Sequence, residues 1–190
     1  MKHIDKLNKL GACNEAVEWA KEMKNGQAAW DNCERGDWML WLAGKTAGKP
    51  KSVKRKKLVL CACECARLAL KYVPKGEDRP LKCIETAEAW ARGEASYDDL
   101  VEARRATAAY AYASAYASAA SFASSASFAS YASYAASYAA YEAASYAAYA
   151  ASAAYDAAAY DAAYVTKTLK ECADIVRKHY PKVPVVRVEK

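Results

Sequence analysis

The sequence predicts an all-α protein, an N-terminal bundle of short helices followed by long helices rich in Ala, Ser and Tyr. Three observations lead there. Apolar residues recur three and four apart through the compositionally ordinary part of the chain, and Leu58, Cys61, Cys65, Leu68 and Tyr72 make the cleanest such stripe. Between Thr107 and Tyr164 the chain is written almost entirely in Ala, Ser and Tyr, and Ala is the best helix former. Finally, no glycine follows Gly93 and no proline stands between Pro80 and Pro181, so the second half lacks strong helix breakers.

The elements follow in order. Ile4, Leu7 and Leu10 share one helical face and stop at Gly11, which suits a left-handed cap. Asn14 opens a second helix with Val17 and Ala20 on its apolar side, and Asn25-Gly26 turns the chain into a short third segment, Gln27 to Cys33. Asp37 is placed to cap Trp38 to Leu42, with Gly44 closing that segment. Because the segment is apolar all round, Trp38, Trp41 and Leu42 are assigned to packing, and Trp41→Ala is expected to cost about 3–5 kcal/mol.

Ser52 is placed to cap the helix that carries the Leu58 to Tyr72 stripe, with Arg67 and Lys71 off that face. Pro80 fits the first turn of the next helix, whose Ile84, Ala87 and Ala91 line one side and whose stop is Gly93. Ser96 and Asp99 form a capping-box pattern at the head of Tyr97 to Arg105. Three regions result: a mixed-composition helical domain over 1–95, an Ala/Ser/Tyr-rich helical region over 96–180, and a tail over 181–190.

A single helix from Tyr97 to Tyr180 would reach about 125 Å at 1.5 Å per residue, so the tract is expected to break into two or three helices. The Ser-dense stretch Ser121 to Ser130 is the weakest point, because Ser hydroxyls compete for backbone groups. Tyr110 to Ser118 alternates strictly with Ala, a strand-like rhythm that makes a β-solenoid the alternative for the tract. Helix is preferred because Ala is a poor strand former. Tyr131, Tyr134, Tyr138 and Tyr141 do fall on one helical face. Rings in this number cannot hide on a lone helix, so tight Ala-spaced packing within or between chains is expected.

Charge is uneven. The formal net charge is +6, yet Ala106 to Tyr164 has no basic residue. The run Lys49, Lys51, Lys54, Arg55, Lys56 and Lys57 would suit a phosphate, but no aromatic is interleaved to stack on bases, and a solvated loop is the preferred reading. The seven cysteines have no disulfide-scaffold spacing and read as reduced thiols. Cys61 and Cys65 share a helix face, but the pairing is wrong for a zinc knuckle, so core packing is expected and no metal or cofactor is assigned. His3 and His179 lie near opposite ends and read as surface residues. The first ten residues carry no signal-peptide core, and the uncharged stretch is too polar for a good span, so a cytoplasmic protein with no membrane role is expected. No phosphate loop, nucleophile elbow or paired metal motif points to an enzyme.

Two stretches, Cys33-Glu-Arg-Gly-Asp-Trp-Met-Leu-Trp-Leu-Ala-Gly-Lys45 and Leu58 to Leu70 leading into Glu77-Asp-Arg-Pro80 and Ile84 to Glu94, resemble the immunity proteins of bacterial and phage genomes. Members of that family continue into Ala-rich runs studded with Tyr, Asp or His. The likeness covers most of Gly11 to Tyr180 and is most specific in Glu34 to Lys45. It implies a small cytosolic protein that binds and neutralises a toxin or effector, with no catalytic residues to carry over. This chain has Ser and Tyr where relatives often carry charge. The expected function is therefore non-enzymatic binding of a protein partner, with Tyr131, Tyr134, Tyr138 and Tyr141 as the contact, since Tyr is a favoured interface residue. The alternative is a structural protein that self-assembles through the tract, and a nucleic-acid or phosphate ligand ranks below both.

Overall fold

The computed structural model describes residues 2–49, 51–68, 70, 75–76, 78–103, 106 and 162–185. They are all-α, with no strand among them. The helices are α1 (Lys2–Leu10), α2 (Asn14–Lys21), α3 (Gly26–Asn32), α4 (Gly36–Lys45), α5 (Val53–Arg67), α6 (Arg79–Arg92) and α7 (Ala162–His179), with a further helical segment at 97–103. The tract's expected break, its β-solenoid alternative and Tyr131, Tyr134, Tyr138 and Tyr141 lie outside the described residues.

Local chemistry sets most helix ends where the sequence places them. Gly11 and Gly93 adopt positive φ of 75° and 91°, conformations that side chains disfavour, and the Gly93 turn is closed by Glu94 N–H donating to Ala89 O at 2.8 Å. Ser52 Oγ accepts from Arg55 N–H at 3.2 Å and donates to Ala47 O at 2.7 Å, tying the loop to the head of α5. The capping box forms as expected, with Asp99 N–H donating to Ser96 Oγ at 3.1 Å and Ser96 N–H to Asp99 Oδ2 at 2.8 Å.

Helix α5 is the organising element because both of its sides are apolar. Leu58, Cys61, Ala62 and Cys65 pack with Met39, Leu40 and Ala43 of α4 and with Cys172, Ala173 and Val176 of α7. The other side, Val59, Cys63 and Ala66, packs on Ile84, Ala87, Trp90 and Ala91 of α6 and on Leu100. The stripe read from the sequence is the first of these faces. It ends sooner than expected, at Arg67 with Leu68 as the cap residue, and Tyr72 lies outside the described residues.

Helix α7 is held against the amino-terminal half by specific bonds as well as by packing. Arg177 Nη1 donates to Cys33 O at 2.6 Å, and Trp30 Nε1 donates to Tyr180 O at 2.8 Å. Glu64 of α5 accepts from Lys178 at 2.9 Å and pairs with His179 Nε2 at 2.7 Å. The His179 and Lys178 contacts hold the Glu64 carboxyl below its ordinary range. His179 is thus a half-buried tie rather than a free surface residue, and His3, with Nε2 3.1 Å from Ala20 O, ties α1 to α2 in the same way.

In α4 the sequence reading needs correction at three points. Asp37 is not a cap: it lies inside the helix, 4% exposed, and pairs with Arg35. Gly44 does not close the helix but is buried within it. The inward face consists of Met39, Leu40 and Ala43, while Trp38, Trp41 and Leu42 are only half-buried. Trp38 and Leu42 still touch the core, but Trp41 belongs to neither apolar cluster. A segment apolar on every side gives periodicity nothing to choose between, so packing partners alone decided its orientation.

Candidate binding cleft

The half-buried face of α4 opens into a cleft of about 680 Å³ bounded by α1, α2, α3, α4 and residues 183–185. Trp19, Trp30, Trp38 and Trp41, four of the five tryptophans, line it together with Leu7, Leu10 and Leu42. They come from separate helices: Leu7 and Leu10 from α1, Trp19 from α2, Trp30 from α3, and Trp38, Trp41 and Leu42 from α4. Trp19 and Trp38 meet in a tilted pair, ring centroids 5.9 Å apart and planes at 56°, an arrangement aromatic quadrupoles favour.

Most polar side chains of the cleft have partners within the chain. Arg35 grips Asp37 through two bonds, Nε to Oδ1 at 2.9 Å and Nη2 to Oδ2 at 2.6 Å, reaches Glu15 at 3.2 Å, and lays its guanidinium 4.4 Å from the Trp38 ring centroid. The Asp37 bond raises the Arg35 pKa above its ordinary value. Gln27 donates to Asp31 at 2.7 Å and accepts Val183 N–H at 3.0 Å, and Asn25 caps α3 by accepting Ala28 N–H at 2.9 Å. Lys6 at the rim has no carboxylate partner among the described residues. Rings and aliphatic side chains make up most of the cleft wall.

The other residues singled out from the sequence lie elsewhere. The basic run is not one solvated surface: Arg55 is 4% exposed, its Nη2 donates to Gly48 O at 2.9 Å, and burial lowers its pKa. Lys54 and Lys57 remain exposed, with Lys57 Nζ 4.8 Å from the Tyr180 ring centroid. Cys61, Cys63 and Cys65 are core residues, and Cys65 Sγ contacts Cys172 O at 3.9 Å. Burial pushes the Cys33 thiol up to about 11 and raises Cys63 as well, while Cys65 is raised by its neighbours Cys172 and Cys61. Among the described residues no group of three or more His, Cys, Asp or Glu side chains is arranged to hold a metal, and no helix is long and apolar enough to cross a membrane. Cys13 is the exposed thiol of the seven. Treating the native chain with a thiol-reactive disulfide should therefore label one cysteine rapidly and the other six only after unfolding, as read by mass spectrometry.

Comparison with known families places this architecture. Residues 48–181 match the profile of the family described as Imm-5 like putative immunity protein. The chain belongs to that family. No curated protein and no solved structure matches it. Of the two stretches that carried the resemblance, Leu58 to Glu94 falls within the Imm-5 like span and Cys33 to Lys45 precedes it. The Imm-5 like span takes in α5, α6, the tract and α7, and every residue lining the cleft lies outside it. The sequence reading missed the cleft because it treated the tryptophans one helix at a time. Four tryptophans within residues 19–41 were the available signal.

Proposed function

We propose that this immunity-family protein is a non-enzymatic inhibitor that binds a toxin or effector protein in the cytoplasm and holds it inactive. The family match over residues 48–181 carries the reading, because an immunity role is a binding role with a protein on the other side. The polar clusters of the described residues agree with it, being structural ties such as Arg35–Asp37 and Glu64–His179. The rings of the tract supply the contact in this reading, with Tyr131, Tyr134, Tyr138 and Tyr141 spaced three and four apart in the sequence. Rigid rings offer large contact area at little entropic cost, whereas exposed lysines chiefly set encounter rate and salt dependence.

The test is affinity capture from the native host with the wild-type chain and two variants. Replacing the four tyrosines by Ala should weaken capture of the partner at least about tenfold, since single hot-spot side chains contribute on the order of 1–2 kcal/mol. Changing Lys54, Lys56 and Lys57 to Gln should weaken it by no more than about threefold at physiological salt. Loss of the partner by the lysine variant alone would point instead to a phosphate-bearing ligand. Sedimentation of the purified chain as a concentration-dependent rod would support self-assembly through the tract in place of inhibition.

A further inference from the structure

We propose that the cleft walled by α1 to α4 is a separate binding site for a small aromatic acid, a molecule with a flat apolar body and one anionic group. Its volume of about 680 Å³ lies within the range of about 300–1,000 Å³ typical of small-molecule sites. The walls are the faces and edges of Trp19, Trp38 and Trp41 with Leu7, Leu10 and Leu42 between them. An aromatic guest gains ring-to-ring contact there beyond what its area alone supplies.

The polar inventory narrows the chemistry further. His3, Asn25, Gln27, Arg35 and Asp37 all line the cleft, and each already has a partner within the chain. A guest rich in hydrogen-bonding groups would find those groups engaged and would lose its own hydration without compensation. The exceptions are the exposed thiol of Cys13 and Lys6, of which Lys6 is the cation. It lines the rim, is exposed, and has no carboxylate partner among the described residues, so it offers one cation to one anion. An apolar body with a single acid group is what this division of labour accepts. None of its residues lies in the family-matched span 48–181, so the cleft can be tested apart from the tract.

Two fluorescent probes of nearly the same shape test this on the full-length chain: 1-anilinonaphthalene-8-sulfonate, which is anionic, and N-phenyl-1-naphthylamine, which is neutral. Each should saturate one site per chain and quench tryptophan emission, the anionic probe binding about threefold or more tighter. Lys6→Gln should remove that preference while leaving the neutral probe unchanged. Trp41→Ala, and independently Ala16→Phe, which fills the cleft without removing packing, should weaken both probes at least about tenfold. Circular dichroism confirms that each variant is folded. Absence of saturable binding, indifference to both cleft variants, or an anionic preference that survives Lys6→Gln would each overturn the proposal. The capture experiment separates the two readings: a partner lost by the folded Ala16→Phe chain, with no probe saturating, would make the cleft an anchor pocket for protein. Partner capture that persists in that variant while the probes are lost would support the small-molecule site.

Discussion

Gly36→Val should leave the chain largely unfolded, and Gly36→Ala should destabilise it by about 2 kcal/mol or more, measured as a drop in the urea midpoint at unchanged slope. Helix propensity alone argues the other way, since Gly to Ala within a helix gains at most about 1 kcal/mol. Geometry decides against propensity here. A Cβ on Gly36 would stand 2.7 Å from Ala173 N and 2.8 Å from Cys172 C, both backbone atoms of α7 that no side-chain rotation can move aside. Helices α4 and α7 would have to separate, and with them the core formed by Leu40, Cys172, Ala173 and Val176. If Gly36→Ala matched the wild type in stability, α7 would not be docked where the structure has it.

Leu40→Ala should cost about 3 kcal/mol or more, while its neighbour Trp41→Ala should cost only about 1–2 kcal/mol and leave a folded protein. On size alone the order would be reversed, because Trp is the larger residue. Leu40 is 1% exposed at the meeting of α4, α5 and α7, where the surrounding backbone has little freedom to collapse into a void. Trp41 lines the cleft beside Lys45, whose ammonium lies 5.2 Å from its ring centroid, and part of its surface is already in contact with solvent. Paired denaturation curves for the two variants measure the difference. Equal losses would return Trp41 to the core and remove one wall of the cleft.

Helix ends and single apolar faces were legible in the sequence because each is written within a few consecutive residues. Gly11, Ser52, Pro80, Gly93 and the Ser96–Asp99 box act within a turn of their own position, and Ile84, Ala87 and Ala91 need only the helical period to share a face. The second face of α5, Val59, Cys63 and Ala66, was harder to see because a helix apolar on two sides has no clear polar reference.

The sequence by itself determined the all-α class, most helix boundaries and the family resemblance later shown over residues 48–181, all properties of local pattern. Tertiary structure alone decided which side of α4 faces inward, that Asp37 answers Arg35 instead of capping a helix, and that Arg55 leaves the basic run for the interior. It also gave Gly36 its reason, which is room for the α7 backbone. The cleft belongs to the same class of fact. Its walls come from four helices and from residues 183–185, and contacts between residues as far apart as Gln27 and Val183 exist only once the chain has closed on itself.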